Sequence, residues 1–101
     1  MKLELRKSLG SAMRRQREKL GLSQEELAQR ADLHRTYISD VERGARNLSF
    51  DSIYALAMAL EIQASTLFAT AELDAYRAAG TIVPVAPGRP GVPHWSFFDS
   101  V

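Results

Sequence analysis

The sequence predicts an all-α protein of five helices followed by a proline-rich, non-helical C-terminal segment. Apolar residues recur at intervals of three and four along residues 4–79, as the buried face of a helix requires. Serine and glycine punctuate that pattern at helix starts and stops. All four prolines, Pro84, Pro87, Pro90 and Pro93, lie beyond Gly80. A chain of 101 residues accommodates one compact domain with a modest core plus a tail, so residues 1–80 read as the folded unit and 81–101 as the tail.

The first helix spans about residues 4–20, where Leu5, Leu9, Met13 and Leu20, with Ala12 beside them, alternate with basic residues and Gly21 supplies the stop. Ser23 to Glu26 then spells a capping box: the serine oxygen accepts from the amide of residue 26, and Glu26 reaches back to the serine amide. The second helix begins there and turns Leu27, Ala28 and Ala31 inward. A short connection through Asp32 and Leu33 leads to a third helix over about residues 35–42, held by Ile38 and Val41 and closed by Gly44. Ser49 caps a fourth helix with Ile53, Leu56, Ala57 and Leu60 on its inner face. Ile62, Leu67 and Phe68 mark a turn and a fifth helix. Residues 71–79, with Leu73 and Tyr76, either extend it or form a separate short helix, and Gly80 ends the run.

The tail is apolar for a linker, since Ile82, Val83, Val85, Val92, Trp95, Phe97, Phe98 and Val101 interrupt its prolines. Three readings stay open for it: docking of Trp95, Phe97 and Phe98 on its own or a second subunit, disorder, or capture of another protein.

Composition removes several functions. Absence of cysteine excludes disulfides, thiol nucleophiles and thiolate metal sites. His34 and His94 stand far apart in sequence, and neither a glycine-rich phosphate loop nor a spaced set of metal ligands is present. No enzyme, cofactor or metal is therefore expected. No apolar run approaches the roughly 20 residues of a membrane span, and the charged N-terminus does not read as a signal peptide, so a cytoplasmic protein with no membrane partner is expected. Net charge is only +1, but residues 1–50 hold 11 basic and 7 acidic side chains while 51–101 hold 2 and 5. The basic half can face phosphate and the acidic half face away.

A short helix, a tight connection and a second short helix make a DNA-binding helix-turn-helix when the crossing stays small and apolar. In Gln24 to Arg43, Ala28 sits at the approach of the two helices. Leu27, Leu33, Ile38 and Val41 anchor them, leaving Arg35, Thr36, Ser39 and Asp40 outward.

The runs GLSQEELA, YISDVERG and ALAMAL make residues 9–68 resemble the Cro and phage-repressor (Xre) helix-turn-helix family, a five-helix all-α domain. HRTYISDVERGARNLSF is similar in particular to the controller proteins of restriction-modification systems. Three positions depart from the family. Asp32 and Glu61 stand where glycine is usual, and His34 stands where a serine or threonine cap is common, so a less well capped third helix is expected.

The resemblance implies a transcriptional regulator that binds a pseudo-palindromic double-stranded operator as a homodimer, with RNA polymerase a further partner. Base contacts fall to Arg35, Thr36, Ser39 and Asp40. Arg35 can pair with O6 and N7 of guanine or bind phosphate instead, and Asp40 can accept from cytosine or orient Arg43. Backbone contacts fall to Gln24, Tyr37, Arg43, Arg46 and Asn47, with core packing the alternative for Tyr37 and a solvated loop for Arg46 and Asn47. Arg17 and Glu42 are expected to form a buried architectural ion pair. Leu67, Phe68, Leu73 and Tyr76 are the expected dimer contacts, the first two with intrachain core as the alternative. The competing function is a protein-interaction module or antitoxin-like adaptor that kept the fold, favoured by the low net charge and apolar tail.

Overall fold

The computed structural model describes residues 4–80. They form α1 (Leu5–Lys19), α2 (Gln24–Ala31), α3 (Arg35–Glu42), α4 (Phe50–Ala59) and α5 (Ala64–Ala79), with no strand among the described residues. Residues 71–79 continue α5 without a break, which decides between the two readings of that stretch. The tail after Gly80, including Trp95, Phe97 and Phe98, lies outside the described residues.

Every helix sends at least one large side chain into a common core: Met13 from α1, Leu27 from α2, Ile38 from α3, Leu56 from α4 and Leu67 from α5 are all fully buried. Each such side chain contributes about 1.5–3 kcal/mol relative to exposure. Leu67 is only 1% exposed, so it is core and not a surface available for a second subunit. Phe68 remains exposed, and Leu73 and Tyr76 are half-buried.

Gly10 lies inside α1, where glycine is normally unfavourable. The reason is the crossing with α3: a Cβ there would stand 2.2 Å from the Val41 carbonyl oxygen and 2.8 Å from that of Glu42. Absence of a side chain lets the first helix touch the backbone at the end of the third.

The four helix ends inside the domain close in one way. After α1, Gly21 N–H bonds Glu18 O and Leu22 N–H bonds Arg17 O; after α3, Gly44 N–H bonds Val41 O and Ala45 N–H bonds Asp40 O. The same doubled pattern follows α2, through Asp32 and Leu33, and α4, through Glu61 and Ile62. The residue that donates the first bond of each pair has a positive φ, 72° at Gly21, 55° at Asp32, 74° at Gly44 and 57° at Glu61. Asp32 and Glu61 therefore adopt the glycine conformation despite their side chains. Side chains satisfy further carbonyls at the end of α4: Arg30 Nη1 donates to Ala59 O at 3.2 Å and to Glu61 Oε2 at 3.0 Å, while Gln16 Nε2 donates to Leu60 O at 3.0 Å. Arg15 adds a 2.6 Å bridge to Asp74 between α1 and α5.

No single helix among the described residues is long and apolar enough to cross a membrane. Helices α4 and α5 are apolar together but bend by 104° between them, and Leu56, Ala57, Leu60, Leu67 and Ala71 on them serve the core.

Candidate nucleic-acid interface

Helices α2 and α3 are set against each other by Leu27 and Ala28 on one side and Ile38 and Val41 on the other, all buried, with Leu33 packed between them in the connection. The α2 start carries the complete capping box: Glu26 N–H donates to Ser23 Oγ and Ser23 N–H to Glu26 Oε1, both at 3.0 Å. Hydrogen bonding from Ser23 holds the Glu26 carboxyl below its ordinary pKa, the backbone amide most and then the hydroxyl.

The start of α3 differs from the expectation of a weak cap. His34 Nδ1 accepts from Thr36 N–H at 3.2 Å, so an imidazole does what a serine or threonine oxygen would do. Arg35 and Thr36 then stand exposed on the first turn, and Ser39 half-exposed one turn on.

Asp40 is the hub of the outer face. One of its carboxylate oxygens accepts from Arg43 Nη2, and the other lies 3.4 Å from Arg46 Nε. The Arg46 guanidinium also lies over the Tyr37 ring, 4.8 Å from its centroid, a cation–π arrangement. Tyr37 itself is half-buried against the core, the packing alternative for this residue, while its other side carries the Arg46 guanidinium. Asn47 is exposed in the same loop.

Behind this face, Arg17 and Glu42 form a two-point pair, Nε to Oε2 at 2.6 Å and Nη2 to Oε1 at 3.0 Å. Arg17 Nη1 also donates to Leu22 O at 2.8 Å, and Gln24 Nε2 donates to Glu42 Oε1 at 3.0 Å. The hydrogen bond to Glu42 raises the Arg17 pKa, with burial opposing. One cluster thus joins the end of α1, the start of α2 and the end of α3. Gln24 accordingly has one amide hydrogen committed to Glu42, leaving the other and its carbonyl oxygen for an external group.

Sequence spacing brings Asp40 and Arg43 together, three residues apart at the end of α3. It carries no signal for Arg46 folding back on Tyr37 and Asp40 from the following loop, nor for Gln24 on Glu42. Both depend on how the α3–α4 loop and α2 sit in three dimensions.

Residues 13–67 match the family described as Helix-turn-helix, more than half of the chain. The chain belongs to the helix-turn-helix family. Within it, the control protein C.BamHI of Bacillus amyloliquefaciens is 55% identical over 49 residues, a match spanning 48% of this chain and 60% of that relative. The crystal structure of the restriction-modification controller protein C.AhdI from Aeromonas hydrophila superposes with a TM-score of 0.59 at 44% identity, over 60% of this chain and 92% of that one. The controller protein C.Esp1396I, solved as a tetramer in complex with its natural 35 base-pair operator, gives a TM-score of 0.64 at 31% identity over 69% of this chain and 92% of its own.

Proposed function

We propose that this helix-turn-helix protein is a sequence-specific transcriptional regulator of controller type that binds a pseudo-palindromic operator as a homodimer. The observation that carries it is the outer face of α3. Arg35 and Thr36 project from a capped N-terminal turn, flanked by two guanidinium groups held by Asp40.

In this reading α3 enters the major groove, where Arg35 pairs with guanine and Thr36 offers a methyl or hydroxyl to the next base edge. Ser39 reaches the base edges one turn later. Asp40 acts mainly through Arg43 and Arg46, whose guanidiniums meet phosphate with Gln24, Tyr37 and Asn47. The Arg17–Glu42–Gln24 cluster keeps the phosphate-facing start of α2 in register with the base-reading helix. One short helix reads few base pairs, so specificity calls for two copies with half-sites about 34 Å apart. Regulation proceeds by binding in the cytoplasm, without a chemical step on a substrate; RNA polymerase is a further partner of the bound complex.

Fluorescence anisotropy on the DNA upstream of its own coding region tests the proposal. Binding should prefer that duplex over a scrambled one, and log affinity should fall linearly with log salt. Equal affinity for both duplexes at low salt would reject it. That result would favour the protein-interaction reading, which the low net charge supports.

A further inference from the structure

The start of α3 is held by a group whose hydrogen-bonding capacity depends on protonation. Tyr37 and Ile38 N–H both turn to the His34 carbonyl oxygen, at 3.0 and 3.2 Å. Thr36 N–H, one of the first-turn donors that the backbone leaves over, goes instead to His34 Nδ1 at 3.2 Å. In a neutral imidazole one nitrogen accepts and the other carries the hydrogen, so this bond places the hydrogen on Nε2. A protonated ring carries hydrogen on both nitrogens and has no acceptor left for Thr36.

Helix α3 has only eight residues, too few to hold its ends without packing and caps. Ile38 and Val41 fix it in the core, whereas Arg35 and Thr36 are exposed. The capping bond spans these two residues, which are the base-reading pair proposed above. A positive ring would also sit at the helix N-terminus, where the dipole favours negative groups.

His34 is exposed, and no ion pair among the described residues includes it. Arg30 at the end of α2 is held by Glu61, and Glu25 and Glu26 stand at the other end of that helix. Helix α1 meets the far end of α3, with Gly10 against Val41 and Glu42 and Arg17 on Glu42. On α3 itself Asp40 is taken by Arg43 and Arg46, and the Tyr37 ring carries Arg46. The remaining charged neighbours are Asp32 and Arg35, one of each sign, on either side of His34 in sequence. The capping bond is therefore the contact that a proton on the ring removes.

We infer that His34 is a positioning residue for base reading: only its neutral ring holds Arg35 and Thr36 in place, so preference for the operator weakens as the ring gains a proton. This inference rests on the operator binding proposed above. A positive ring meanwhile attracts any duplex, so binding to unrelated DNA holds or rises.

The test is fluorescence anisotropy of the full chain on specific and scrambled duplexes at about pH 8 and about pH 5.5, on either side of the range where histidine ordinarily changes charge. Ionic strength is kept constant. The wild-type ratio of the two affinities should fall on the order of 5-fold at the lower pH, the size expected for one lost cap. His34→Asn keeps a capping oxygen that does not titrate, so its ratio should hold, which also separates this histidine from His94. His34→Ala should start low and stay low. NMR of the ring nitrogens at the higher pH should show the tautomer with hydrogen on Nε2. A wild-type ratio that ignores pH, a His34→Asn ratio that falls as far, or hydrogen on Nδ1 overturns the inference while operator binding stands. A wild-type chain with equal affinity for both duplexes at the higher pH rejects operator binding itself, and the inference with it.

Discussion

Arg17 and Glu42, 25 positions apart in sequence, meet through two hydrogen bonds with side chains only 12% and 5% exposed. A pair so placed is costly to break because it strands the remaining charge. Arg17→Met and Glu42→Leu should each destabilise the fold by about 3–5 kcal/mol, and the double variant by clearly less than the sum. Urea melts of the four proteins measure this. Additive losses would mean that the two side chains act independently.

The glycines predict a graded series. Gly21 has a φ of 72° and open space around its Cβ position, whereas at Gly44, with φ 74°, a Cβ would lie 2.9 Å from the Lys7 Cα. Gly21→Ala isolates the cost of a left-handed residue, about 1–2 kcal/mol. Gly44→Ala adds a collision with α1 and should cost more. Gly10→Ala, which drives a methyl into the carbonyls at the end of α3, should also cost more than Gly21→Ala. Equal melting temperatures for all three alanine variants would contradict the close α1–α3 approach.

Much of this fold is legible in the sequence because its signals are local. Ser23, Glu26 and Gly44 announce caps through positions three residues away, and the apolar periodicity of Leu9 and Met13 or Ile38 and Val41 needs no distant partner. Gly10 is not legible, since its need arises from α3 backbone more than 30 residues later. His34 reads as a weak cap because its residue type is uncommon there, yet its ring nitrogen accepts from Thr36 N–H. Leu67 reads equally as core or interface until its burial in the common core is seen. For the site, outward positions on α3 follow from helical spacing, but the stacking of Arg46 on Tyr37 does not.

The capping box predicts a pH signature. The Glu26 carboxyl has a lowered pKa in the folded protein, so its contribution is present above the ordinary glutamate range and is lost as pH falls through the lowered folded value. Carboxyl-resolved NMR titration should place its midpoint below that of an ordinary glutamate. Ser23→Ala, which removes the hydroxyl and keeps the amide, should move the midpoint part of the way back. Identical midpoints in the two proteins would show that the serine hydroxyl does not act on Glu26.

Asp40 gives a test of sign. Removing an acid from a DNA-facing surface should strengthen binding if charge alone matters. If Asp40 instead positions Arg43 and Arg46, Asp40→Ala should weaken binding to the specific duplex while binding to scrambled DNA holds or rises. Anisotropy on both duplexes measures it. A gain on the specific site would remove the positioning role.

Base reading by the first turn of α3 is measured by comparing Arg35→Ala with the wild type on specific and scrambled duplexes over a salt series. The variant should lose about 1–3 kcal/mol on the specific duplex, change little on the scrambled one, and show relaxed preference at one base pair in each half-site. An equal loss on both duplexes, with a salt slope reduced by about one, would make Arg35 a phosphate contact and contradict it.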